Sequence, residues 1–300
     1  GDRNVLDLAQ GFHTITGTGD FLRAGIGAGG NTLATGREAA ITIAGVGFNT
    51  IQAGDGAELD IQGIGNAITV AGGGTAWLEG PLTGGAHHNT LRFGDGGVMA
   101  TVLGGGNVVE AGAGTHSITL HGAGNRVSLG DGYAGVVAHG GFNTIEAGEG
   151  DSAIIASGAG NAVRTGGGQD GVSLLQGGGT VATGGGRDNV VLGAGWATVV
   201  DLGAGDDSVQ GANNHGDVFT GGAGADRFAF TGLDWNWTRI TDFTAGEDVL
   251  DLRFNAHAGL GFGDLVFDTL GGATTVSAAG RGTLVLEGAP VLTQADILFA

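Results

Sequence analysis

The feature that most constrains this chain is a column of asparagines. Asn31, Asn49, Asn66, Asn89, Asn107, Asn125, Asn143 and Asn161 follow one another at steps of 18, 17, 23, 18, 18, 18 and 18 residues. Each stands two residues before an apolar side chain, in turn Leu33, Ile51, Ile68, Leu91, Val109, Val127, Ile145 and Val163. In an extended strand residues i and i+2 share a face, so both members of each pair turn inward together. A buried carboxamide lowers stability unless its donors and acceptor are met. Amides stacked from coil to coil meet that need. The pattern predicts a parallel solenoid with two strands and two turns per coil, tied by an amide ladder over about 31–165. The step of 23 marks a loop inserted around Leu78–His88, which holds Pro81, His87 and His88. On the outward side of the same strands, Arg92/Glu110 and Glu146/Arg164 are expected to form cross-strand ion pairs.

Residues 1–34 also look solenoidal, with VLDLA, HTITG and NTLAT alternating between glycine turns. No polar cap precedes them. An upstream domain or a self-associating partner is expected to cover that open edge. The sequence has no signal peptide and no initiator Met, which suggests a mature fragment or one piece of a longer polypeptide.

Sixty-nine of the 300 residues are glycine but only two are proline, which rules out a collagen repeat. The regular Val, Ile and Leu positions rule out a disordered glycine linker. The formal charge is −19, and all 11 basic residues are arginine. Such a chain repels nucleic acid and anionic membranes and favours divalent cations. No apolar run is long enough for a transmembrane helix, so membrane insertion is not expected. Without cysteine there is no disulfide or thiolate metal site.

A second column begins as the first ends. The strings TGGGQD, TGGGRD, LGAGDD and GGAGAD end on Asp170, Asp188, Asp207 and Asp226, at intervals of 18, 19 and 19. The last runs into Arg227-Phe228-Ala229-Phe230 and fits the nonapeptide G-G-x-G-x-D-x-U-x of calcium-binding solenoids. Glycines permit the tight turn, and carboxylates supply the hard oxygens that calcium prefers. On the opposite edge Asp217 has the same offset before its own strand. Stepping back by 18 from Asp170 gives Ser152, Ala134, His116 and Val98, so the acidic column starts at Asp170.

This cluster resembles the RTX (repeats-in-toxin) family. The resemblance covers residues 165–300. TRITDF and GEDVLDL, with the closing Asp296-Ile297-Leu298-Phe299-Ala300, are similar to the cap and tail that follow such repeats in serralysin-type proteases and other type I secretion substrates. The resemblance implies a right-handed all-β roll with an antiparallel β cap at its C-terminal end. It further implies calcium between successive coils, held by Asp170, Asp188, Asp207, Asp217 and Asp226 with carbonyls of Gly184, Gly186, Gly203, Gly205, Gly222 and Gly224. Export by type I secretion machinery and folding outside the cell would follow.

Other features point less far. His121 and His139 would stack, yet no H-E-x-x-H zinc motif occurs. Trp235 and Trp237 are expected to pack the cap. Asp242, Asp248 and Asp251 would serve turn and strand roles or bind another ion. Asp55, Glu58 and Asp60 form the best acidic cluster for a glycan groove, but no paired base accompanies them. Outward residues are too irregular for an ice-binding array. The expected architecture is therefore a calcium-poor solenoid over 1–165, a calcium-binding roll over 166–230 and a β cap over 231–300, about a dozen coils in all. The expected role is a non-enzymatic, secreted structural or adhesive module. Two alternatives stay open: the carrier half of a larger secreted enzyme, and a self-assembling surface-layer or fibre subunit.

Overall fold

The computed structural model describes residues 5–8, 11–17, 22–26, 29–44, 47–78, 88–195, 197–211, 216–232, 235, 237–254, 257–288 and 290–300. The expected insertion, with Pro81 and His87, falls at 79–87, outside the described residues. The chain divides into two compact units, Gly1–Gly148 and Glu149–Ala300. Among the described residues there is no α-helix, and none is long and apolar enough to cross a membrane.

In the first unit short strands alternate between two parallel sheets. One sheet includes Ala40–Ala44, Ala57–Gln62, Gly74–Leu78, Val98–Val102, His116–Leu120 and Ala134–Ala138. The other includes Thr32–Ala34, Thr50–Ala53, Ala67–Val70, Thr90–Phe93, Val108–Ala111, Arg126–Leu129 and Thr144–Glu146. Period-2 alternation makes these strands: every second residue is Val, Ile, Leu or Ala, and glycine turns end each run. Leu33, Ile51, Ile68, Leu91, Val109, Val127 and Ile145 are direct partners on successive strands, and all are buried. Ile41, Leu59, Ala76, Ala100, Ile118 and Val136 form a matching column on the facing sheet. Each large aliphatic side chain so buried contributes about 1.5–3 kcal/mol.

The amide ladder forms as the spacing predicts. Asn31 donates from its backbone N–H and from Nδ2 to Oδ1 of Asn49, at 3.0 and 2.9 Å. Asn49 does the same to Asn66 at 3.2 and 2.8 Å, and Asn66 to Asn89 at 2.9 Å for both. The 23-residue step leaves the rung intact. The series continues through Asn107 and Asn125 to Asn143. Outside the ladder, Arg92 reaches Glu110 at 2.7 Å as expected. Glu146 is met at 2.7 Å by Arg126, which sits diagonally on the neighbouring strand. Long Arg side chains span that diagonal, which column position alone does not reveal.

The second unit repeats the scheme with Ser152–Ala156, Gly171–Leu174, Asn189–Leu192, Ser208–Gly211 and Arg227–Phe230 on one sheet. The solenoid was expected to stop at Phe230, with antiparallel strands from there on; it does not stop there. Val249–Leu252 pairs in parallel with Arg227–Phe230, and Arg239–Ile240 with Val218–Ala223. Leu250, Leu252, Ile240 and Phe243 are buried, and Phe228 and Leu250 are direct partners, as are Phe219 and Ile240. The final Ile297–Phe299 pairs in parallel with Val249–Leu252 as well. Among the described residues antiparallel pairing is confined to the meander Val266–Leu270, Ala273–Ser277 and Thr283–Glu287. Aromatic rings fill the core of these last coils, Phe219 lying 6.5 Å from Phe228 and Phe228 6.0 Å from Phe243. Trp235 is buried against His257 as cap packing requires, whereas Trp237 is exposed.

Candidate metal centre

Asp170, Asp188, Asp207 and Asp226 form one column, each at the turn that leads into a strand of the same sheet. All four are at most 2 % exposed, so these are not solvated turn carboxylates. Each rung copies half of the asparagine device. The backbone N–H of Asp170 donates to Oδ1 of Asp188 at 2.8 Å, that of Asp188 to Asp207 at 2.7 Å, and that of Asp207 to Asp226 at 3.0 Å. A carboxylate has no Nδ2 to pass on. Oδ2 of Asp188, Asp207 and Asp226 therefore accepts no hydrogen bond, and neither oxygen of Asp170 does. Ser152, one coil earlier, lies beside Asp170 with a buried hydroxyl that is near enough to favour the charged carboxylate but outside hydrogen-bond geometry.

Burial dominates the electrostatics of the column. It pushes the Asp226 carboxyl up to about 7 against the N–H of Asp207, with the charges of Asp248, Asp207 and Asp242 adding to it. Asp207 is pushed up to about 6 in the same way. Asp170 and Asp188 are raised too, again by burial first. Without a cation Asp226 is only partly ionised near neutrality, and Asp207 takes up its proton about one pH unit lower.

The glycine turns lie against it. Gly184, Gly186, Gly203, Gly205, Gly222 and Gly224 all have left-handed φ, from +90° to +151°. The carbonyls of Gly168, Gly186 and Gly205 occupy the space that a Cβ on Gly186, Gly205 or Gly224 of the following coil would need. Among the described residues no three His, Cys, Asp or Glu side chains gather as a metal site by themselves. An ion here would depend on two aspartates plus backbone carbonyls. That all-oxygen set fits a hard cation and excludes a soft one.

Asp217 stands apart. It is buried on the opposite edge, in register with Asn161 and Thr198, and its Oδ1 accepts from the Thr198 N–H at 2.8 Å. The column itself runs one step further than the glycine motif, to Asp248. Asp248 takes the Asp226 N–H at 2.9 Å on Oδ1 and the Thr244 N–H at 2.7 Å on Oδ2. No GGxGxD string marks Asp248; the 22-residue step conceals it. Asp242 accepts from the N–H groups of Gly221 and Gly222. Asp251 is fully buried between Arg227 and Arg253. Burial raises its carboxyl, but hydrogen bonds from Arg253 and then Arg227 outweigh that and bring it to about 2. All three cap aspartates thus serve the protein's own donors.

His116, in the acidic column's position, is buried with Nε2 2.9 Å from the Gly112 carbonyl, and burial lowers its pKa. His121 and His139 stack at 4.8 Å. A scan of protein-family models returns no match for this chain, and a comparison with curated proteins returns none either.

Proposed function

We propose that the chain is a non-enzymatic, calcium-binding β-solenoid module that works outside the cell, with folding coupled to the metal after export by type I secretion machinery. One observation carries this reading: a row of buried carboxylate oxygens with no donor, set against glycine turns. Asp170, Asp188, Asp207 and Asp226 would hold the ions, together with carbonyls of Gly184, Gly186, Gly203, Gly205, Gly222 and Gly224. Bound calcium would supply the positive charge that the column lacks. The rest belongs to the chain. Unscreened, the carboxylates repel one another, and the glycine turns lose much conformational entropy on ordering. The calcium-poor interior of a cell therefore keeps the chain open for export, and binding outside becomes folding free energy.

The test is a calcium titration of the chelated chain, followed by far-UV circular dichroism and sedimentation. A coil-to-β transition is expected at roughly 10⁻⁴–10⁻³ M calcium, the range of extracellular modules. It should vanish in the Asp188→Ala/Asp207→Ala double variant. A β signal already complete in chelator would overturn the coupling. Large particles forming in the same step would point to a self-assembling subunit instead.

A further inference from the structure

The first unit carries a groove that the calcium reading does not use. Its volume is about 530 Å3, and it crosses the strands Ala57–Gln62, Gly74–Leu78, Val98–Val102 and His116–Leu120. Glu58, Thr75, Met99 and Ser117 line it as direct rung partners, with Asp55 at one side. Two residues along the same strands, on the same face, Asp60 is paired with Trp77 and Trp77 with Thr101.

Three properties of this face bear on what it can hold. It offers flat apolar surface, since Trp77 is 49 % and Met99 61 % exposed although both sit on regular strands. It is acidic: Asp55 and Glu58 line it, Asp60 lies two residues beyond Glu58 on the same face, and Arg37 stands 3.7 Å from Asp55. Asp60 also keeps a buried Oδ1 that accepts no hydrogen bond. Finally, it carries hydroxyls among these groups, Thr75 and Ser117 on either side of Met99 and Thr101 on the strand next to Trp77.

We propose that this groove binds a chain of protonated amino sugars. The indole of Trp77 lies under the C–H face of one ring, as amphipathic aromatics do at binding surfaces. Glu58 and Asp60 take the ammonium beside it, where carboxylate and indole both favour a cation. Thr75, Thr101 and Ser117 meet ring hydroxyls. A polyanionic glycan is repelled by the same carboxylates. The inference goes beyond the calcium reading and does not depend on it, because no groove residue belongs to the aspartate column.

The test uses the full chain, folded in calcium as checked by circular dichroism, titrated calorimetrically with a glucosamine hexamer and its N-acetylated counterpart. The amine form should bind, and the acetylated form about tenfold more weakly. Added salt should weaken the amine form only. Trp77→Ala and the Glu58→Gln/Asp60→Asn pair should each lower affinity about tenfold. If Trp77→Ala disturbs the fold, the charge pair and the two hexamers still decide the matter. No binding of the glucosamine hexamer, equal binding of both hexamers, or equal binding of a lysine hexamer would overturn the proposal.

Discussion

A chain with Asp170, Asp188, Asp207 and Asp226 all replaced by asparagine is expected to form its second unit in chelator, and the parent chain, on the proposed coupling to calcium, is expected not to. The argument compares two columns in one protein. In the first unit each Asn gives its N–H and its Nδ2 to the next Oδ1, so the buried amides of the column partner one another. In the second unit the N–H bond to Oδ1 is kept, but an oxygen replaces the second donor. Restoring the amide removes buried charge, whose effective penalty is several kcal/mol per ion. It also supplies the missing hydrogen. Circular dichroism and urea unfolding in chelator provide the readout. A quadruple variant that still needs calcium would show that the two columns are not equivalent.

Acid should do part of the same work. Asp207 and Asp226 are raised to about 6 and 7 in the folded state, above the usual carboxylate value of about 3.9. The folded chain thus binds more protons than the unfolded one between about pH 4 and 7. Stability in chelator is lost as pH rises through that window and regained as pH falls through it. Below about pH 4 the gain ends, and Asp251, held at about 2, begins to lose its arginines. In the asparagine variant this pH dependence should be much smaller, with Asp248 the raised carboxyl that remains in the column.

The second large effect is expected at Gly186 or Gly205. Either changed to alanine should destabilise the second unit by roughly 4 kcal/mol or more, even in saturating calcium. Their φ values are +136° and +151°, where side chains are strained. A Cβ at Gly186 would run into the Gly168 carbonyl, and one at Gly205 into the Gly186 carbonyl. Both obstacles are backbone on a neighbouring coil and cannot rotate away. Gly124→Ala is the control. Its φ is +68°, with nothing within 4 Å of the added carbon, so only about 1 kcal/mol should be lost. Urea midpoints of the three variants measure the difference, and equal losses at Gly186 and Gly124 would rule out the steric account.

How much of this was legible in the residues follows from what each device demands. A carboxamide facing inward every 18 residues has few other solutions, so the rungs from Asn31 to Asn143 could be read directly. The aspartate column was legible for the same reason, because GGxGxD fixes both the turn and the side-chain position. The coil after Phe230 was not, since its turns lengthen to 22 residues between Asp226 and Asp248 and no glycine string marks it. Side-chain choice was hidden as well: register places Glu146 beside Ser128, and only rotamers bring Arg126 to it. The groove was visible in part, as Asp55, Glu58 and Asp60. Trp77 joins it by pairing with Asp60 across 17 residues and Met99 by pairing with Thr75 across 24, steps that a fixed 18-residue period misplaces.

The amide ladder of the first unit has a direction. At every rung the coil nearer the amino terminus gives both hydrogens, and the coil nearer the carboxyl terminus receives them on one oxygen. Taking a coil from the amino-terminal side uncovers only an oxygen, whose lone pairs tolerate a missing partner comparatively well. Taking one from the carboxyl-terminal side strands two donors at once, each costing about 1–3 kcal/mol while it stays buried. The column therefore works as a ratchet against fraying: it wears from one end and locks at the other. Stepwise deletions should expose the asymmetry as shallow losses from the amino side and abrupt ones from the carboxyl side.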